Sequence, residues 1–402
     1  MIVEAHLLYE ATRHGTAVAG ITWPSARRRF ACEKSHGIVF LCKSKTDAQF
    51  VRENPGPSGP RRAHIKFGKG GRTNQMLFVT FHQAVSNVYA YDDNGNLLNP
   101  TSPDVLITSG QALDELRGIY LQNGYLYVIN GGKDVSNILC FQGSGTSYKY
   151  ASTFISNPAN GPIDHPFALA MDGNGLCFVS NQDCNVVAAL KVVTDTQATL
   201  VTTPSAFLQA VYPSGSFLTG TLVASSNGAL PKVPATTPVP QALGGLDVSI
   251  VSNKGVDKVQ NSVRDIAYYG GLLFVLDEPG GLVRSYNAAT GQPLAVSNPI
   301  DSPTHLLIQD NAMYVSAGNQ VFTSSIPNPY DSGAPVWIFQ PILSLGSSDS
   351  ASGMAFDSSG NFYVGNRSTN KVHVFDSTNG FKHVETWPAM PDNPEFLLYM
   401  GG

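Results

Sequence analysis

Four residues of one chemical kind occupy one place in a repeated pattern. Asn130, Asn181, Asp277 and Asn366 each stand two positions after an apolar–aromatic–valine triplet: LYV at 126, CFV at 177, LFV at 273 and FYV at 362. Two more copies, LFV at 77 and MYV at 313, put Phe81 and Ala317 at that place. Side-chain oxygens brought from several repeats to one level are what a hard cation such as Ca²⁺ takes as ligands. The same side chains also bond the backbone of their own loops, so a capping role competes with the metal-ligand role. A second set opens or precedes the apolar run ahead of the triplets: Arg117, His165, Arg264 with Asp265, His305 and Glu395. Arginine clamps a carboxylate through two parallel hydrogen bonds, and histidine is suited to take a proton near neutral pH. His165 and His305 are therefore the candidate catalytic bases. Arg117 and Arg264 are candidate substrate contacts, joined by His82 and Gln182 just past their triplets. Glu278 and Glu395 are candidates for a supporting carboxylate. The competing role for the arginines is pairing with Asp114 or Asp265, which would stitch neighbouring repeats together.

Such chemistry requires elements that carry all six copies to one place. The triplet starts are separated by 49, 51, 96, 40 and 49 residues, and a period of 40–50 residues marks propeller blades. Ahead of each triplet lies an apolar strand and a turn, as in FALAMDGNG, RDIAYYGG and SGMAFDSSG. After it come a polar loop, a third strand and a turn, as in GLVRSYNAATGQPL and NKVHVFDSTNG. Alternating, aromatic-rich runs bounded by Asn/Asp/Gly turns are strand signals. Each unit thus predicts four antiparallel strands, A to D. The copy at 77 lacks a strand A, and the C-terminal NPEFLLYMGG supplies one with nothing after it. The last strand is expected to complete the first blade, which closes the ring and leaves no open sheet edge.

The expected fold is an all-β, six-bladed propeller over residues 76–402, with seven blades as the alternative. The long interval between the third and fourth triplets decides between them. It is read as an insertion at about 195–260, between strands C and D of the third blade and including the Pro-rich KVPATTPVPQ. Residues 1–75 do not follow the repeat and are expected to form a basic extension of low structure.

Composition agrees. Charged residues make up only 13% and Gly and Pro are abundant (39 and 26), which suits short strands joined by turns. Residues 1–75 hold 13 Lys/Arg against 5 Asp/Glu, and the remainder holds 12 against 24. An acidic body excludes nucleic acid as its natural ligand. No apolar run is long enough to span a membrane as a helix. Glu4, His6, Glu10 and Arg13 interrupt the opening residues where a secretory leader needs an apolar stretch, so no leader is expected in this sequence, and cytoplasmic and exported locations both stay open. A monomer is expected. The five cysteines form no CxxC. Cys177 fills a triplet's first position and is expected to act as a hydrophobe rather than as a redox or metal partner of Cys184. No GxSxG, HExxH or P-loop pattern occurs. Asn366-Arg367-Ser368 is a glycosylation sequon.

The stretches LYVINGGKDVSNILCF, CFVSNQDCNVVAAL, LFVLDEPGGLVRSY and FYVGNRSTNKVHVFD make the chain resemble NHL/YVTN-type β-propellers and, more distantly, the gluconolactonase/paraoxonase-like superfamily. The resemblance covers roughly residues 76–402. It implies a site for a small molecule at the channel mouth and a divalent-cation-dependent hydrolase or lyase of lactonase type, with Ca²⁺ or another divalent ion and no organic cofactor. The same fold also implies the alternative of a non-catalytic scaffold for a protein or glycan partner.

Overall fold

Side chains alternate across a strand, so the first and third residues of each triplet face one way and the middle residue the other. That alternation divides every triplet between two blade interfaces. Leu126 and Val128 pack back on the blade that carries Phe78 and Val88. Tyr127 packs forward with Cys177 and Val179 of the next blade. Cys177 and Val179 face backward while Phe178 faces forward, as do Leu273 and Val275 against Phe274, and Phe362 and Val364 against Tyr363. The repeat that makes strands is therefore also the repeat that packs blades. Each large apolar side chain buried this way contributes about 1.5–3 kcal/mol.

In this computed structural model the described residues are 34–35, 39–40, 75–132, 135–155, 163, 165–182, 186–200, 263–278, 281–289, 291, 293–326 and 337–401. Residues Gln75–Gly401 form one compact unit. Blade 2 has strands A to D at Leu116–Gln122, Tyr125–Asn130, Asn137–Ser144 and Ser147–Ile155. The corresponding strands of blade 3 are Pro166–Met171, Leu176–Asn181, Val186–Thr194 and Gln197–Leu200, and those of blade 4 are Val263–Tyr269, Leu272–Asp277, Leu282–Asn287 and Pro293–Val296. Blade 5 comprises Pro303–Gln309, Ala312–Ala317, Gln320–Ser325 and Gln340–Ser344, and blade 6 comprises Ala351–Phe356, Asn361–Asn366, Lys371–Asp376 and Lys382–Thr386. Blade 1 takes strand A from the C-terminal Pro394–Met400, beside strand B at Met76–Phe81 and strand C at Tyr89–Tyr91. Its register includes Leu397 opposite Val79 and Leu398 opposite Phe78, so the expected closure by the last strand is present. A short strand, Leu106–Ile107, joins the outer edge of blade 2 in parallel.

The protein is an all-β, six-bladed propeller. Six interblade cores run round the ring, from blade 1 on blade 2 to blade 6 on blade 1. Val187 and Phe178 of blade 3 pack directly with Leu273 and Val275 of blade 4, which leaves no room for a seventh blade between them. The insertion is placed differently from expectation. Strands C and D of blade 3 are joined through Asp195 and Thr196 in a tight hairpin, so the long segment follows strand D rather than preceding it. Residues 201–262 lie outside the described residues. Of the basic extension at 1–75, only Gln75 and an antiparallel pair, Lys34–Ser35 with Val39–Phe40, are described. No described helix is long and apolar enough to cross a membrane.

Candidate functional site at the channel mouth

Register puts the start of every strand A level with the end of its strand B. Leu116 pairs with Asn130, Pro166 with Asn181, Val263 with Asp277, Pro303 with Ala317, Ala351 with Asn366 and Pro394 with Phe81. Every strand A is also irregular at the same place, with its register slipping within the first three residues beyond that pair. Bulges of this kind re-aim side chains beside functional sites. Here they present the second residue of each strand A: Glu395, Arg117, Phe167, Arg264, Thr304 and Ser352 in blades 1 to 6. The residue just after strand B adds His82, Gly131, Gln182, Glu278, Gly318 and Arg367.

These side chains form one connected cluster to which every blade contributes. Glu395 is fully buried. Its Oε1 lies 3.1 Å from Arg117 Nη1, and its Oε2 lies 3.3 Å from Arg367 Nε and 3.4 Å from His82 Nδ1. Arg117 also contacts His82 Nδ1 and, through Nη2, Glu115 Oε2 at 3.3 Å. Glu115 Oε2 is equally 3.3 Å from His165 Nε2. Arg264 pairs with Glu278 at 2.6 Å and donates to Gln182. Both guanidinium groups lie over the Phe167 ring, Arg117 at 5.8 Å and Arg264 at 5.3 Å from its centroid. Phe167 in turn packs on His305 and Phe396. Glycine makes room at two points. A Cβ on Gly131 would come within 2.7 Å of Arg117 Cγ, and one on Gly353 within 2.6 Å of the Glu395 carbonyl oxygen.

Burial alone would raise the Glu395 carboxyl, but Arg367 and Arg117 outweigh it and hold the group ionised, well below the usual carboxylate range. His305 behaves oppositely. Burial, aided by Arg367, Arg264 and Arg117 and opposed by Glu395, pushes it down to about 3. The imidazole is neutral and sandwiched between Phe167 and Phe396, with Nδ1 bonded to Thr304 Oγ1 at 3.1 Å. Asp265 is not an arginine partner, contrary to one expectation. Its oxygens accept from the amides of Ile266 and Leu306, each at 2.8 Å, which staples blade 4 to blade 5. Arg117 likewise pairs with Glu115 and Glu395 rather than Asp114.

His82, Gln182, Arg117, Arg264, His165 and His305 thus lie in one cluster. Asn130, Asn181, Asp277 and Asn366 are fully buried at the same level, each bonded within its own blade. Asn130 Oδ1 accepts from the Asp114 amide and its Nδ2 donates to the Ala112 carbonyl. Asn366 Oδ1 accepts from the Ser368 amide, Asn181 donates to the Val179 carbonyl, and Asp277 binds Arg284 at 2.8 Å. Among the described residues no group of three or more His, Cys, Asp or Glu is arranged to hold a metal ion. The Asn130 and Asn366 Oδ1 atoms and one Asp277 oxygen are engaged, and Glu395 is flanked by two guanidinium groups, so these groups fit a divalent cation poorly. Full burial of Asn366 also closes the sequon in the folded protein. Sequence reasoning passed over Glu115, Phe167, Phe396 and Arg367. Reading the same repeat positions in every blade would have found them: Glu115 aligns with His165, Phe167 with Arg117 and Arg264, Phe396 with His305, and Arg367 with His82 and Gln182.

No family model matches the chain, and no curated protein matches it. Among solved structures it is similar to the periplasmic gluconolactonase of Pseudomonas aeruginosa, at 15% identity and a TM-score of 0.48 over 81% of this chain and 99% of that one. A chain of the nidogen/laminin complex aligns at 12% identity and a TM-score of 0.49, over 81% and 97%. A functionally unknown protein from Desulfotomaculum acetoxidans aligns at 14% and 0.47, over 81% and 89%. Likeness at this level bears on neither activity nor partner, and the class defined by the chain's own strand pairing is a closed six-bladed propeller with a largely buried cluster of charged and aromatic side chains at the heads of its A strands.

Proposed function

We propose that the protein binds a small polar molecule at this mouth and hydrolyses it as a lactone or ester without a resident metal ion. The observation that supports this is the meeting of three Arg, three Glu and three His from all six blades in one cluster, with Arg117, Arg264 and His305 against the Phe167 ring. Two of its buried donors, Arg117 Nε and Gln182 Nε2, have no protein acceptor. A buried donor without a partner costs about 1–3 kcal/mol, a cost a ligand oxygen would offset. Every guanidinium already faces a carboxylate, so the mouth is close to balanced in charge and suits an uncharged ligand rich in acceptor oxygens. Arg264 and Arg117 would polarise the carbonyl, and His165, the histidine beside the partly exposed Glu115, would take the proton of the attacking water. The neutral, enclosed His305 then acts as floor rather than base.

Thermal-shift and turnover assays with a panel of five- and six-membered lactones and aryl esters test the reading on wild type, Arg264→Ala and His165→Ala. The expected result is a ligand-dependent rise in Tm that Arg264→Ala weakens at least tenfold in ligand concentration, and turnover that His165→Ala lowers about 10²–10⁴-fold. Binding without turnover would leave a small-molecule receptor. Neither binding nor turnover across the panel would sink the reading and favour a scaffold whose charged cluster only locks the blades together.

A further inference from the structure

Blade 6 carries a chain of hydrogen bonds that runs inward from its outer strands. His383 Nε2 lies 3.0 Å from Thr386 Oγ1, and the same hydroxyl lies 3.0 Å from His373 Nδ1. His373 Nε2 in turn lies 3.2 Å from Asn366 Nδ2. The inner end of the chain is fixed by backbone groups: Asn366 Oδ1 accepts from the amides of Ser368 at 3.1 Å and Ser350 at 3.4 Å. Two backbone donors at one end of a side-chain amide put its oxygen there, which leaves its NH2 to face His373. An NH2 group donates, so His373 Nε2 holds a lone pair. The ring proton then sits on Nδ1, where it donates to Thr386 Oγ1. Ser350 also accepts the Arg367 amide on its carbonyl, at 2.9 Å. The bonds made by Asn366 therefore frame the residue that reaches Glu395.

We propose that His373 is a positioning residue: as the Nδ1–H tautomer it holds Asn366 and, through it, the Arg367 loop, and a proton on Nε2 releases that hold. A doubly protonated ring donates from both nitrogens. It would meet the Asn366 NH2 donor to donor. Turning the amide to offer its oxygen would set the NH2 against the Ser350 and Ser368 amides instead. Either way, at least one bond of the frame is lost. The titratable groups around the ring are His383 on strand D, Asp349 on the connection from blade 5 and Lys371 on the ring's own strand. Burial, His383 and Lys371, opposed by Asp349, keep the ring below the ordinary histidine value. The hold is thus full above the free value of 6.5 and weakens as pH falls through the lowered one. None of this depends on the hydrolytic reading above.

The test uses the full chain. Long-range ¹H–¹⁵N correlation spectra of the imidazoles, with the His373 signals assigned by their loss in His373→Gln, report the tautomer. The expected result is Nδ1–H in wild type near about pH 7.5. Asn366→Asp, which sets an acceptor opposite Nε2, is expected to move the proton to Nε2. Hydrogen-exchange protection factors of the Ser350 and Ser368 amides are then measured from about pH 7.5 down to about pH 4.5. In wild type they fall about 3–10-fold toward the acid end, as for the loss of one hydrogen bond of ordinary net strength. In His373→Gln, whose side-chain oxygen accepts from Asn366 without titrating, they stay level. Nε2–H in wild type, or Nδ1–H retained in Asn366→Asp, overturns the proposal. So does equal protection in wild type and His373→Gln across the range, whether or not the ring titrates.

Discussion

Glu395 shows how a single side chain can organise a surface. Its carboxylate is completely enclosed, yet it stays ionised because Arg117 and Arg367 reach it from two other blades. Enclosed ion pairs depend on both partners, and removing one leaves an uncompensated charge. Its neighbour His305 sets a pH limit. With a folded value near 3 against a free value of 6.5, the native state binds fewer protons than the unfolded chain between those two pH values. His305 therefore contributes stability fully above pH 6.5, and that contribution is lost as pH falls toward 3. Glu395, also lowered, adds a second loss below the ordinary glutamate range, beginning near pH 4.5. Asp265, raised by burial to about 7, works the other way: its contribution is present at acid pH and lost as pH rises through 7. His305→Gln is expected to reduce the fall in Tm between pH 6.5 and about pH 4 by about 5 °C, as read by calorimetry across that range. An undiminished fall would mean that the native ring is charged.

At the scale of elements, the triplet and the bulge divide the work. The triplet was legible in the sequence because alternation and packing repeat together: Leu126, Tyr127 and Val128 announce a strand and two interfaces at once. The conversion of Leu77 to Cys177 at the equivalent place changes little, since both are buried hydrophobes. The bulge at the head of strand A has no such signature, because it is a property of pairing with strand B and of Gly118 and Gly353, which let adjacent strands come close. Without it, Arg117 and Arg264 could be singled out by type but not aimed. The Asn/Asp positions show the converse limit. Their shared level was readable, but their direction was not, because it depends on loop amides such as those of Asp114 and Ser368. Gly353→Ala tests the close approach directly. The added methyl would meet the backbone of Glu395 and Phe396, so a loss of about 1–3 kcal/mol is expected in urea unfolding. A loss below about 0.5 kcal/mol would show that the strands can part without cost.

On the scale of the whole molecule, the ring is held by six similar interfaces, and only the join at blade 1 is made by residues distant in sequence. Pro394–Met400 pairs with Met76–Phe81 across more than three hundred positions, while Asp392 accepts from the amides of Gln83, Ala84 and Val85. Removing residues 394–402 would expose strand B of blade 1 as an unpaired edge and strip Val79 and Phe81 of cover. Such a chain is expected to aggregate or to lose its cooperative thermal transition, checked by light scattering and calorimetry, since open hydrophobic edges template further pairing. A soluble, cooperatively melting truncation would contradict a ring that depends on this join.

That join carries Glu395 as its second residue, so closure and site share one strand. On the ribosome, Arg117, Arg264 and Arg367 all emerge before the carboxylate at which two of them converge. A nascent chain can therefore stack five blades and still present guanidinium groups without their counter-charge. Assembly of the cluster is a report that translation has passed residue 395, and no earlier intermediate holds it in the finished geometry. For protein engineering the corollary is a rule about where to cut. New termini made in the outer loops of blades 3 to 5 would turn the closing contact into an ordinary hairpin neighbourhood and let the charge centre form early. The order in which this site comes into being is thus written in the place of Glu395 along the chain, after all three arginines.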